Sequence, residues 1–419
     1  VSFPSYYEFA CQTKVFAGGA VLEQMPAVFC NLRIENPLFL TDKGVIEAGL
    51  LKIVREALFA KSGATGRELT IFDDIPADSD LSVVKKIAQI HEAQRCDAIV
   101  AIGGGSVLDT AKGVNLLVSE HAEDLLTLKG AGKIRCRLQP LIAVPTTSGT
   151  GSEVTAAAVI KDKENFAKCL FTSVFLQPDV AFLDSRMTLT LPSAITAATA
   201  MDALTHAMES YYCLQKNPLS DSCALLAVRL ISQNLLKVMG NPQDEAARLS
   251  LAIASCLAGM AFSNAMVGMV HTLGHAFGAL YGIPHGVCMA ILLPYGLEYN
   301  MHKSHHLISQ LLLPLGGFEE YQKTPLAEHG ERVVRAVRDL NAALNKATNG
   351  KHPLCFKDIR DRGGHSLVKQ EGLSKVARLA QNDGSIFMNP EELDFDDLLM
   401  VATSAFEGVP LALDRIKKG

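Results

Sequence analysis

The sequence predicts two parts: an α/β domain built on a mostly parallel sheet over residues 1–190, then an all-helical domain over residues 191–419. Three observations carry this. Short apolar runs alternate with helical patterns of about 10–15 residues before residue 190, the signature of right-handed βαβ units. A glycine triplet, Gly103-Gly104-Gly105, stands where one such run gives way to a helical pattern. After Pro192, Ala, Leu, Met and other small residues dominate and β-branched clusters thin out. In order, Pro37–Thr41 reads as a strand and Val45–Ala60 as a helix. Glu68–Phe72 is a strand, Leu81–Gln94 a helix, Asp97–Ile102 a strand and Val107–Val118 a helix. Leu141–Val144 and Val180–Leu183 are further strands. Helical patterns then cover Ala194–Cys213, Ser220–Met239, Glu245–Ser263, Val267–Tyr281, Glu331–Ala347, Leu373–Asn382 and Asp396–Glu407. Asn349–Leu367, rich in Gly, Lys and Arg, reads as an exposed connection.

Composition narrows the class. Hydrophobic residues make up 48% and charged residues 20%, which excludes a disordered chain. The 39 basic and 44 acidic residues give a net charge of −5 with no long basic run, so neither a nucleic acid nor an anionic membrane is an expected partner. Ten cysteines are scattered without a C-x-x-C pair, which points to reduced thiols and a reducing, cytoplasmic compartment. The N-terminal residues show no basic region followed by an apolar run. Between Arg248 and Glu298 no Asp, Glu, Lys or Arg occurs, longer than the roughly 18 apolar residues that flag a membrane span. Ser255, Ser263, Asn264, His271, Thr272, His275, Pro284 and His285 interrupt that stretch, and no basic cluster flanks it. It reads as helices buried in the helical domain, with polar groups gathered for a purpose.

Two polar turns follow apolar strands. In Ile102-Gly103-Gly104-Gly105-Ser106-Val107-Leu108-Asp109 the glycines allow close backbone approach to a phosphate, and the following helix offers unpaired N–H groups. Ser106 suits the N-cap and Asp109 its capping-box partner. The spacing is not the usual G-x-G-x-x-G, because Leu108 takes the last position. Val144-Pro145-Thr146-Thr147-Ser148-Gly149-Thr150-Gly151-Ser152-Glu153 is the second turn, with hydroxyls suited to a phosphate, a ribose or a nicotinamide. Two such turns at strand ends mark a ligand crevice of an open α/β sheet.

Histidines gather in the helical half. Asp202 and His206 stand at i and i+4 and share a helix face, and His271 and His275 repeat that spacing. Pro284 and its neighbouring glycines aim His285 separately. Buried without partners these groups would cost several kcal/mol, and a divalent cation satisfies them together. With no cysteine at a matching spacing, Asp and His ligation suits Fe(II), Zn(II), Mn(II) or Co(II). His302, His305 and His306 lie in a polar stretch and read as surface.

Four motifs together, Gly-Gly-Gly-Ser-x-x-Asp, Pro-Thr-Thr-x-Gly-Thr-Gly-Ser-Glu, Met-Asp-Ala-Leu-Thr-His-Ala-x-Glu and Gly-x-Pro-His-Gly, resemble the iron-containing (group III) alcohol dehydrogenases. The resemblance runs over nearly the whole chain and includes Phe387-Met388-Asn389-Pro390. It implies a Rossmann-like NAD(P)-binding domain, a helical metal-binding domain and a cleft between them, the dehydroquinate synthase-like architecture. It implies Asp202, His206, His271 and His285 as metal ligands and His275 as a histidine near the metal but outside the ligand set; one turn from His271, His275 is the candidate catalytic residue, placed to relay a proton to solvent. The implied cofactor contacts are Asp42, Gly104, Gly105, Ser106, Thr146, Thr147, Thr155 and Lys168. Ala200 stands where many members have Gly, and Asp73–Asp78 lacks the common Pro-Asn-Pro.

The implied activity is reversible hydride transfer between a primary alcohol or short diol and NAD, with Fe(II) as Lewis acid and Zn(II) possible in purified samples. Asp42 favours NAD over NADP, because a carboxylate accepts ribose hydroxyls and repels a 2′-phosphate. The expected partners are a small alcohol or aldehyde and further copies of the chain in a homodimer or larger homo-oligomer. A polyol or phosphosugar dehydrogenase or lyase of the same fold would need basic residues in the metal-bearing stretches, which have none. A helical metal-dependent phosphohydrolase would need an adjacent His-Asp pair, which does not occur.

Overall fold

The computed structural model describes residues 5–59, 68–164, 167–412 and 416. Elements run β1 (Lys14–Gly18), α1 (Met25–Leu32), β2 (Pro37–Leu40), α2 (Lys43–Glu47), α3 (Leu50–Phe59), β3 (Thr70–Phe72), α4 (Leu81–Ala93), β4 (Ala98–Gly103), α5 (Gly105–Ser119), β5 (Gly130–Ala131), β6 (Leu141–Pro145), β7 (Ala157–Asp162), β8 (Ala167–Thr172) and β9 (Val180–Asp184). Nine helices follow among the described residues: α6 (Ser193–Tyr212), α7 (Pro218–Gly240), α8 (Glu245–Ala265), α9 (Met269–Tyr281), α10 (His285–Gln310), α11 (Leu312–Lys323), α12 (His329–Ala347), α13 (Leu373–Ala380) and α14 (Phe395–Glu407). The chain forms two compact units. One comprises residues 10–191 with 243–259, the other 1–9, 192–242 and 260–419.

In the first unit a six-stranded sheet has the order β1-β9-β6-β4-β2-β3, with all pairs parallel. The central strands are buried on both faces, as parallel sheets require. Leu38, Leu40, Ile99, Ala101 and Ala143 point to the face covered by Val84 and Ile87 of α4 and Leu108 and Val114 of α5. Phe39, Val100, Ile102, Ile142, Val144 and Phe182 point to the other, covered by Val28 of α1 and Val54 of α3. From β2 the chain moves outward to β3, and from β4 it moves the opposite way to β6. The order therefore reverses between β2 and β4, the place where open α/β sheets bind ligands. A small second sheet, β5-β8-β7, contains the antiparallel pair β7–β8.

The expected single helix Val45–Ala60 is two helices within the described residues, because Gly49 takes φ +75° and breaks the run (Ala60 lies outside the described residues). Ser106 is not the N-cap of α5. Gly104 is, in extended conformation, and its carbonyl accepts from Val107 N and Leu108 N at 3.1 Å. Asp109 is no capping-box partner, since its carboxylate is taken by Ser152 Oγ at 2.7 Å and Val159 N at 3.0 Å.

Residues 243–259, expected in the helical half, group with the sheet unit. Gln243 donates to Leu189 O, Ser185 to Glu245 and Arg248 to Leu191 O. In the other unit Asn349–Leu367 is not a wholly exposed connection. His352, Cys355 and Phe356 are buried, and Phe356 stacks on Phe277 with centroids 3.7 Å apart. Helices α7 and α8 are long and apolar enough to cross a membrane by length and composition alone. His302, His305 and His306 are exposed, as expected.

Candidate metal centre and cofactor loops

Helix α6 contains Asp202 and Glu209 as its charged residues and is buried along most of its length from Thr196 to Tyr212. The i, i+4 spacing brings His206 Nδ1 to 3.8 Å from Asp202 Oδ1. His271 is in the first turn of α9. His285 is the first residue of α10, directly after the N-cap Pro284, and its Nε2 is 3.4 Å from Asp202 Oδ1. One ligand atom from each of Asp202, His206, His271 and His285 lies within 4.8 Å of all the others. Phe262 stacks on His206 (4.1 Å, 14°), and His206 stacks on His271 (4.5 Å, 28°).

A divalent cation fits this set. Asp202 Oδ1 and His271 Nε2 are buried without a hydrogen-bond partner. Burial alone pushes the Asp202 carboxyl up to about 8, and burial, with the nearby His275, holds His271 well below the usual imidazole range. A nearby cation reverses that cost for the carboxylate and is met by neutral imidazole nitrogens.

Glu209 is the residue that spacing did not single out. Its carboxylate accepts from Val270 N at 2.8 Å, from His271 N at 3.4 Å and from His271 Nδ1 at 2.6 Å. It therefore caps the open N–H groups of α9 and fixes the His271 ring with Nδ1–H donating, which leaves Nε2 as the lone-pair nitrogen. Burial raises Glu209 to about 7 against the N–H groups of Val270, Gly268 and His271. Asn389, from the Phe387–Pro390 motif, accepts from Met269 N at 3.2 Å in the same turn. His275 stacks on His285 (5.3 Å, 17°), and its Nδ1 is 2.7 Å from Asp383 Oδ2, a partner 108 residues away.

The expected cofactor residues lie in the other unit: Asp42, Gly104, Gly105, Ser106, Thr146 and Thr147 follow the C-terminal ends of the neighbouring strands β2, β4 and β6, whereas Thr155 precedes β7 and Lys168 is on β8. Asp42 N-caps α2, accepting from Val45 N at 2.9 Å. Thr146 N donates to Gly103 O at 3.1 Å, which joins the two turns. A Cβ on Gly104 would come within 3.2 Å of Thr147 Cγ2, and one on Gly105 within 2.7 Å of Thr150 Cγ2. The glycines thus let the second turn close onto the start of α5, a backbone cradle suited to a pyrophosphate. Ser106 Oγ accepts from Asp78 N at 3.2 Å, and Lys168 on β8 lies 3.9 Å from the Asp78 carboxylate. Thr155 sits deeper. Its carbonyl and hydroxyl accept from Lys112 Nζ at 2.9 and 3.0 Å, and the same ammonium reaches Ala157 O at 2.8 Å. Burial pulls Lys112 down to about 8 despite the opposing charges of Asp109 and Glu153.

The sequence model of the iron-containing alcohol dehydrogenases matches residues 12–185, and the model of that family's C-terminal part matches residues 196–406. The chain belongs to the iron-containing alcohol dehydrogenase family. It is thus a member of a family of metal-dependent oxidoreductases. It is 45% identical over 324 residues to the probable alcohol dehydrogenase EutG of Escherichia coli (strain K12), covering 77% of this chain and 76% of that protein. The match to the Salmonella typhimurium EutG is 41% identical but spans 60% of that protein and 58% of this chain. The 1,3-propanediol dehydrogenase of Klebsiella pneumoniae is 34% identical, with 89% and 92% of the chains covered. Among solved structures, a 1,3-propanediol oxidoreductase superposes with a TM-score of 0.87 at 30% identity, covering 96% of this chain and all of the other. The sulfoacetaldehyde reductase of Bifidobacterium kashiwanohense, solved with NAD+, shares the fold with a TM-score of 0.82 at 24% identity, covering 96% of this chain and 99% of that one.

Proposed function

We propose that this chain interconverts small uncharged primary alcohols or short diols and their aldehydes with NAD, using Fe(II) held by Asp202, His206, His271 and His285. Residues 1–190 serve the cofactor and residues 191–419 the metal. The observation that carries the reading is the convergence of those four ligand atoms within 4.8 Å, with Asp202 Oδ1 and His271 Nε2 buried and unpartnered. Bound there, the metal supplies Lewis acidity to the alcohol or carbonyl oxygen, and the nicotinamide supplies the hydride chemistry. The protein's own groups orient and exclude water. Glu209 sets the tautomer of His271, and the Phe262 ring covers one face of His206. Asp383 holds Nδ1 of His275, which turns the other ring nitrogen to proton transfer with solvent.

The substrate class follows from charge. Helix α6 and the stretch from residue 249 to 297 carry no Lys or Arg to receive a phosphate. The named 1,3-propanediol and alcohol dehydrogenases among the relatives support the same class. Asp42, Gly104, Gly105, Ser106, Thr146, Thr147, Thr155 and Lys168 form the proposed NAD site, and the NAD+ complex of a protein with this fold supports the cofactor. Ten cysteines without a disulfide accord with a reducing, cytoplasmic setting, and a homo-oligomer goes with the reading.

The test is NADH absorbance with a panel of primary alcohols, 1,3-diols and phosphorylated polyols, after metal stripping and anaerobic reloading. Expected are NADH from the uncharged substrates, little from the phosphorylated ones, and a larger gain with Fe(II) than with Zn(II). Turnover confined to phosphorylated substrates would reject the substrate class. Zinc equal to iron at equal occupancy would reject the iron assignment.

A further inference from the structure

Three aspartates of one short loop each hold a lysine. Between β3 and α4, Asp74 meets Lys43 at 2.8 Å, Asp78 meets Lys168 at 3.9 Å, and Asp80 pairs with Lys163. Asp74 and Lys43 are both largely exposed, so that pair contributes little. Asp80 is buried and N-caps α4 through Ser82 N and Val83 N, a structural task.

Asp78 differs, because it touches two residues of the proposed cofactor site at once. Its N–H donates to Ser106 Oγ at 3.2 Å, in the first turn of α5, while its carboxylate faces Lys168 Nζ. The loop is anchored beside that contact, since Lys161 N donates to Ser79 O at 3.0 Å and Lys161 pairs in register with Lys168 across β7 and β8. A negative charge therefore stands beside the Gly104-Gly105-Ser106 cradle. It stands 3.9 Å from the ammonium of Lys168, a residue of the proposed cofactor site.

We propose that Asp78 sets the affinity of the cofactor site. Its carboxylate occupies Lys168, and a dinucleotide must compete with it for that ammonium. The proposal rests on the cofactor reading above. Its consequence is looser binding and faster release of the reduced cofactor than an uncharged residue would give at this position. Asp78 has φ +52°, a left-handed conformation that Asn also tolerates. Asp78→Asn thus removes the charge while keeping the backbone and the N–H bond to Ser106.

The experiment is fluorescence titration with NADH of the unmodified chain, Asp78→Asn, Lys168→Met and the double variant, at low and high salt. Asp78→Asn is expected to tighten NADH roughly threefold to fivefold at low salt, with the gain shrinking as salt screens the pair. Lys168→Met is expected to weaken binding, and in that background Asp78→Asn to gain little, since no ammonium is left to release. Unchanged or weaker binding by Asp78→Asn, or an equal gain without Lys168, would overturn the proposal alone. An unmodified chain that binds no NADH would overturn the cofactor reading and the proposal with it.

Discussion

Glu209 shares its carboxylate between two tasks, receiving the first N–H groups of α9 and the Nδ1–H of His271. Glu209→Gln keeps the size but turns one acceptor into a donor, so either the ring or the helix start loses its partner. Metal affinity is expected to fall roughly tenfold to a hundredfold, read by competition with a chromogenic chelator. Asp42 makes a second residue-scale prediction. It spends one carboxylate oxygen on Val45 N, and in the proposed NAD site the other would accept a ribose hydroxyl. Asp42→Gly is expected to lower the preference for NAD over NADP, measured as the ratio of the two kcat/KM values. An unmodified chain with equal kcat/KM for both would contradict the role. Helical spacing and an apolar setting singled out Asp202, His206, His271, His275 and His285 together, and the family resemblance chose the four whose ligand atoms the fold gathers within 4.8 Å. Glu209 stood inside a recognised motif, but three residues after His206 it has the position of any helix carboxylate. Asp383 and Asp78 reach their partners through the fold, which no local pattern encodes.

At the scale of elements, the glycine turn was legible and its packing partner was not. A Cβ at Gly105 meets Thr150, a contact between two turns 45 residues apart (150 − 105). Gly105→Ala is expected to push the second turn off α5 and weaken NADH binding while the metal content stays unchanged. Equal NADH affinity would contradict the cradle. The β7–β8 pair escaped the sequence reading because it is a small sheet with half-exposed strands, including outward Val159 and Leu170. Helix α10 escaped it for another reason. Pro294 reads as a helix breaker, yet it lies inside α10. The carbonyl it leaves without an N–H, that of Ala290, accepts from Asn341 Nδ2 at 2.7 Å, a bond supplied from α12.

At the scale of the whole molecule, the two-part order of sheet and helices was legible from periodicity. The placement of residues 243–259 was not, because it depends on contacts at Leu189 and Leu191 far along the chain. The support for Pro294 also makes stability depend on pH. His352 Nε2 pairs with Asn341 Oδ1 at 2.9 Å, its Nδ1 is buried without a partner, and burial lowers its value from 6.5 to about 4. The unfolded chain therefore takes up the proton first, and stability falls as pH drops from 6.5 toward 4. Between pH 7 and 5 this group alone is expected to remove about 2 kcal/mol. His352→Gln, compared by denaturant unfolding at the two pH values, is expected to lose that much less. An equal loss in both proteins would exclude His352 as the source. The central claim is one metal site made by four side chains, and its most direct test is elemental analysis of His271→Ala beside the unmodified chain, both loaded anaerobically with Fe(II). Near-stoichiometric iron and NADH formation from a primary alcohol are expected in the unmodified chain. Loss of most iron and activity is expected in the variant, with NADH binding retained. Full iron occupancy in His271→Ala would contradict the claim.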